Sequence, residues 1–230
     1  MGDTIHGNKY GGDHIEGNKI INNGGDGRTH RVPPKVILLM SASQDLNQPL
    51  RLDEERREID LAITMAQAAD RLEIRTADAV RMDDLQSALL RYRPAIAHFS
   101  GHGQANAGIM VSDGFGGARP VPPRALSKLF GILKSGPRCV VLNACFTDQQ
   151  AQAIAQYVPC VIGMHGRVAD DTAIRFSAGF YHGIARACSI RESFELGCNR
   201  LDLHEDRDNE APHLIAAARH AERPVIDWPG

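Results

Sequence analysis

From Lys35 onward the hydrophobic positions form short continuous runs, separated by stretches in which they recur every three or four residues. Val36–Met40 follows Pro33 and Pro34 and is apolar throughout, the mark of a strand buried on both faces of a parallel sheet. Ile59, Ala62, Ile63 and Ala66 then fall on one stripe and predict an amphipathic helix with Asp53 as its N-cap. Leu72–Thr76 reads as a second strand, Met82–Tyr92 as a second helix and Ala95–Phe99 as a third strand. A weaker strand follows at Gly108–Val111, then a Gly- and Pro-rich loop over 113–123 and a helix near Ala125–Leu133. Cys139–Ala144 and Cys160–Met164 complete the strands, and Asp171–Arg186 and Ser189–Leu201 read as two further helices. The stretch after Leu203 suits a last helix or a short strand and shows no chemistry of its own.

Strands alternating with helices at this spacing predict an α/β fold with a doubly wound, mostly parallel six-stranded sheet and helices on both faces. Ligands and catalytic groups in such folds sit beyond the C-terminal ends of strands. That rule points to Ser100–Gly103, Ala144–Thr147 and His165–Asp171.

Composition adds limits. A chain of 230 residues, 43% hydrophobic and 23% charged, suits one ordinary folded domain, because chains of this length bury roughly 70% of their unfolded surface. Lys and Arg number 26 against 28 Asp and Glu, a net charge of −2, so neither a nucleic acid nor an anionic membrane is expected as partner. Five cysteines, with no CxxC pair, point to free thiols in a reducing compartment. The N-terminus lacks a secretory signal pattern and no apolar run reaches the roughly 20 residues of a membrane helix, so a cytoplasmic location is expected.

The glycines are unevenly spread. Eight of the 22 fall in residues 1–31, where GDTIHGNKY (2–10) and GDHIEGNKI (12–20) repeat with a period of ten. Ile5, Tyr10, Ile15 and Ile20 recur every five residues, a spacing foreign to a helix or a plain strand but suited to one apolar side chain per short strand of a turned rung. Gly7–Asn8 and Gly17–Asn18 would supply the turns. Two such rungs bury too little to repay their ordering entropy alone, so order is expected only by stacking on copies or on a partner. A plain flexible tail is the competing reading. The chain therefore divides into an assembly segment with linker, residues 1–31, and a catalytic-type domain, residues 32–230.

HFSGHG (98–103) ends the third strand and LNACF (142–146) ends the strand from Cys139. A histidine ending one buried strand and a cysteine ending another are the minimum for nucleophilic acyl transfer, in which imidazole removes the thiol proton and later protonates the leaving amine. Gly103 and the Cys145 backbone N–H suit an oxyanion site. A packed core thiol and a solvated loop histidine are the ordinary alternatives for Cys145 and His102 taken singly. GHGQANAG departs from GxGxxG, and His98 and His102, though four apart, lie on a strand and its following loop and not on a helix with the intervening Glu of a zinc protease, so neither cofactor nor metal is expected. His98 reads as a structural histidine, and Cys139, Cys160, Cys188 and Cys198 as core residues.

These segments make the sequence recognisable. VILLMSASQD (36–45), LRLDEERREI (50–59), AHFSGHG (97–103), VVLNACFT (140–147) and VIGMHGRVADDTAIRFSAGFYHGIA (161–185) resemble the CHAT domain family, caspase-like cysteine peptidases related to caspases, separases and gingipains. The resemblance covers about residues 35–205. It implies a caspase-like fold, with His102 as general base, Cys145 as nucleophile, and the Gly103 and Cys145 amides as oxyanion hole. Asp170 or Asp171 matches an acidic position after the sixth strand that serves in capping or in the pocket; His165 is a local candidate for the pocket lining. The repeat over residues 2–21 resembles amyloid-type signalling motifs at the ends of bacterial and fungal immune effectors, although its glycines are unusual for a steric zipper. Together they imply a cysteine endopeptidase acting on a protein or peptide, an effector of a bacterial immune or cell-death pathway, activated when residues 2–21 assemble with a sensor carrying a matching repeat. The rival readings are a catalytically silent caspase-like adaptor and an acyl transferase using the same dyad.

Overall fold

The computed structural model describes residues 32–42, 50–133, 136–205 and 212–226. The chain divides into residues 1–32 and 33–230, and every element below belongs to the second unit. The repeat with Ile5, Tyr10, Ile15 and Ile20 lies outside the described residues.

Strand β1 (Lys35–Ala42) leads to helix α1 (Leu52–Met65), β2 (Leu72–Ala77), α2 (Met82–Tyr92) and β3 (Ile96–Gly101). Three short strands follow, β4 (Gly103–Gln104), β5 (Gly108–Ser112) and β6 (Ala118–Pro120), then α3 (Pro123–Ile132), β7 (Cys139–Asn143), α4 (Asp148–Ile154) and β8 (Cys160–Met164). The chain continues through α5 (Asp170–Ala185), α6 (Ile190–Leu203), β9 (Pro212–Ala216) and α7 (Ala218–Ala221).

The main sheet has six strands in the order β2-β1-β3-β7-β8-β9, parallel except for antiparallel β9 at one edge. Its membership differs from the expectation in one respect. The weak strand at Gly108–Val111 leaves the main sheet and pairs antiparallel with β4 and β6, while the sixth place goes to β9, from the tail. A short return hairpin satisfies its backbone locally; α5 and α6 between them bring the chain back to the end of the sheet where β8 finishes, Pro212 opposite Met164, so β9 runs antiparallel.

Alternate residues of the central strands face opposite layers. Ile37, Leu39, Ile96, Val141 and Ile162 pack with Ile59 and Ile63 of α1 and with Phe176, Phe180, Tyr181 and Ile184 of α5. Leu38, Met40, Ala97, Phe99, Val140 and Leu142 pack with Leu85 and Leu89 of α2, Leu126 and Phe130 of α3, and Ile154 of α4. Helices α5 and α6 approach backbone to backbone: a methyl group on Gly179 would stand 2.8 Å from the Leu196 carbonyl oxygen. Among the described residues no helix is long and apolar enough to cross a membrane.

Candidate active site

Two adjacent parallel strands carry the site. β3 and β7 pair with Ser100 opposite Asn143, and two residues beyond those partners stand His102 and Cys145. One cavity of about 260 Å³ beyond these strand ends is lined by His102, Cys145, Gly101, Asn143, Arg51, Glu55, Val168 and Asp170, with apolar walls from Leu50, Leu52, Ala144, Ala173 and Ile174.

Past Cys145 the chain turns sharply. Phe146 has φ of 56°, left-handed backbone that is uncommon for a residue with a side chain. Its N–H bonds the Gly166 carbonyl at 2.7 Å, and the fully buried Thr147 donates its hydroxyl to the Leu142 and Ala144 carbonyls, both at 3.0 Å. The Met164 N–H in turn donates to that hydroxyl at 2.9 Å. A strand, a strained turn and α4 therefore hold Cys145 at the rim. Gly103 is packed directly on it, as a Cβ at Gly103 would lie 1.8 Å from the Cys145 carbonyl oxygen. The Cys145 Sγ accepts the Val168 N–H at 3.3 Å, so the segment leading into α5 covers one side of the sulfur.

The acidic pair at the start of α5 is anchored across the site. Asp170 lines the cavity and accepts the Arg51 backbone N–H at 3.2 Å. Asp171 is bonded to the Arg51 guanidinium, which also holds Glu54. Helix α1 therefore starts at Leu52 with Arg51 as its N-cap, not at Asp53, because the acceptor at its N-terminus comes from α5. His165 stands outside the cavity lining, with its side chain 70% exposed and Nδ1 3.7 Å from Asp148 Oδ2. Asp113 closes the turn after β5, accepting the N–H groups of Phe115 and Gly117. Those two donors hold its carboxyl below the usual range.

Beneath the cavity lies a polar cluster that the sequence reading missed. Glu55, 5% exposed, accepts Asn143 Nδ2 at 2.5 Å and Ser177 Oγ at 2.6 Å on Oε1. His98 Nε2 is 3.0 Å from the same oxygen, within ion-pair reach but off the line of a hydrogen bond. Its Nδ1 contacts the Tyr181 hydroxyl at 3.0 Å. Burial works to raise the Glu55 carboxyl, yet His98 and the hydroxyls of Ser177 and Ser100 outweigh it and hold it below the ordinary glutamate range. Asn143 Oδ1 is buried without a partner, its amide orientation fixed by the acceptors around Nδ2. Glu55 was legible in one respect, since it precedes Ile59 by four residues and so continues the apolar stripe of α1.

The cysteines separate by environment. All five are free. Cys139 and Cys160 are buried, and burial pushes their thiols up, that of Cys160 to about 11. Cys188 and Cys198 are only half-buried, short of the core placement expected for them; Cys198 packs at the core's margin. Among the described residues no group of three or more His, Cys, Asp or Glu side chains is placed to hold a metal.

A mostly parallel six-stranded sheet between two helical layers, with one antiparallel edge, is the caspase-like fold. The crystal structure of the Drosophila initiator caspase Dronc superposes with a TM-score of 0.52 at 11% identity, covering 96% of each chain. The family model of the CHAT domain matches residues 25–214, and the chain belongs to the CHAT domain family, with the fold of a cysteine protease. No curated protein matches the sequence.

Proposed function

We propose that the protein is a cysteine endopeptidase in which His102 is the general base and Cys145 the nucleophile. The observation that supports this is the cavity that both residues line, with the Gly103 backbone packed on the Cys145 peptide. His102 takes the thiol proton and Sγ attacks the substrate carbonyl carbon. The Gly103 and Cys145 N–H groups stabilise the resulting oxyanion. The C–N bond breaks as the imidazolium gives its proton to the leaving amine, and water then attacks the thioester, releasing the acid and restoring the thiol. Apolar walls at Leu50, Leu52 and Ile174 receive a substrate side chain.

The family membership and the N-terminal repeat together support an effector of a bacterial immune or cell-death pathway, with residues 2–21 assembling with a sensor and raising the effective concentration of catalytic domains. The test is proteolysis and labelling by a peptidyl acyloxymethyl ketone. Wild type is labelled at Cys145; His102→Ala loses the labelling, and Cys145→Ala loses both proteolysis and any associated toxicity. Full activity in Cys145→Ala overturns the assignment. Equal labelling of the half-buried Cys145, Cys188 and Cys198, independent of His102, favours a silent adaptor.

A further inference from the structure

We propose that Glu55 is a positioning residue of this site: its buried carboxylate ties together the two strands that end at His102 and Cys145 and sets the distance between base and nucleophile. This rests on the peptidase reading above.

The same side chain holds both catalytic strands at matched depth. On β7 it accepts from Asn143, two residues before Cys145; on β3 it lies 3.0 Å from His98 Nε2, and the Ser100 hydroxyl, two residues before His102, helps to hold it ionised. His98 pairs with Val141 one pleat below the Ser100–Asn143 pair, so Glu55 spans β3 and β7 at the last rungs of the ladder below the site. From the outer layer it accepts Ser177 of α5, and Tyr181, one helical turn later, reaches His98. Four elements, α1, β3, β7 and α5, therefore converge on one carboxylate.

An ionised carboxylate in a core is costly, and an apolar group of the same shape often serves stability as well. Retaining it makes sense where a specific geometry is required, because a charged acceptor with several short donors has one arrangement whereas an apolar contact slides. Backbone ladder bonds fix how β3 and β7 pair, but they do not restrain the chain beyond Gly101 and Asn143, where the strands end. Glu55 acts at that boundary. It lines the cavity floor yet has its donors already in place, so its role is to hold the neighbours of the reacting groups and not to touch substrate.

The test is a double-mutant cycle on the full-length chain, reading the rate of Cys145 alkylation by iodoacetamide, mapped by peptide mass. His102→Ala slows the reaction of wild type by about tenfold, reflecting loss of the imidazole partner. Glu55→Gln keeps a cooperative thermal melt but slows alkylation by nearly the same factor. In the Glu55→Gln/His102→Ala pair the rate stays within about twofold of His102→Ala alone, because both changes break one relationship. Should Glu55→Gln not melt cooperatively, Ser177→Ala, which removes one donor and leaves the carboxylate, takes its place in the cycle with a smaller loss expected. The proposal is overturned if Glu55→Gln reacts like wild type, or if it slows alkylation equally with and without His102. A rate indifferent to His102 in the wild-type background is a separate outcome: it overturns the peptidase reading, and this role falls with it.

Discussion

The Gly103 backbone lies flat against the Cys145 peptide, so close that a methyl group there would stand 1.8 Å from the carbonyl oxygen and 2.8 Å from the nitrogen. Two strand ends meet through bare main chain, and neither has room to give without displacing the other. Gly103→Ala is expected to lower the proposed peptidase activity by about 100-fold or more, as small misplacements of reacting groups do, and to cost about 1–3 kcal/mol in stability. Proteolysis and urea unfolding measured together check both; wild-type activity in a folded Gly103→Ala chain shows that the contact does not position Cys145.

The neighbouring acids Asp170 and Asp171 should behave differently. Asp170 accepts the backbone N–H of the α1 N-cap, the part that a Glu in a local capping box would play. Asp171 pairs with a guanidinium, both side chains being about half exposed. Asp170→Ala is expected to destabilise by about 1 kcal/mol, whereas Asp171→Ala should fall near zero, as exposed pairs do. Equal effects in thermal melts would contradict this division.

Acid should weaken the fold partly through His213. Burial lowers its protonation, Asp148 opposes that and His165 adds to it, so the folded state binds a proton less readily than the unfolded chain. The unfolded state therefore carries more protons below the ordinary histidine value of about 6.5, and stability rises with pH there. The contribution is complete above that value and is lost as pH falls from it toward the depressed folded value. His213→Gln should flatten the decline of urea-unfolding stability between about pH 7 and 5 relative to wild type; an unchanged slope would place the effect elsewhere.

Removal of residues 1–31 bears on the proposed activation. The remaining chain carries every described element from β1 to α7 and should melt cooperatively with unchanged Cys145 labelling. Stimulation of proteolysis by a sensor bearing the matching repeat should vanish. Persistent stimulation would place the activating contact on the folded domain.

The alternating layers of this fold were readable because continuous apolar strands and striped helices carry their burial in the local pattern. His102 and Cys145 were readable for a related reason, since the ends of buried strands are fixed once the strands are. Features made by distant contacts were not. The start of α1 was misplaced because its acceptor arrives from α5, far along the chain. Helix α4 was overlooked because DQQAQAI is short, and its buried Gln150 serves to bind the Ile109 N–H and Val121 carbonyl of the small sheet. Glu55 sits in the charged run DEERRE, whose composition hides it, and only its helical phase with Ile59 sets it apart; the partners that hold it come from distant elements.

The sheet order has a consequence for how the molecule comes into being. β3 and β7 are side by side, but β4, β5, β6 and α3 lie between them in the chain, and the carboxylate bridging them comes from α1 with its hydroxyl donor from α5. Pairings of this kind form late, after long loops have closed. During synthesis the half ending at His102 emerges well before Cys145, and the two are not braced until α5 has left the ribosome. The unfinished chain therefore lacks an assembled site, and topology alone delays the proposed cleavage until the sheet is complete.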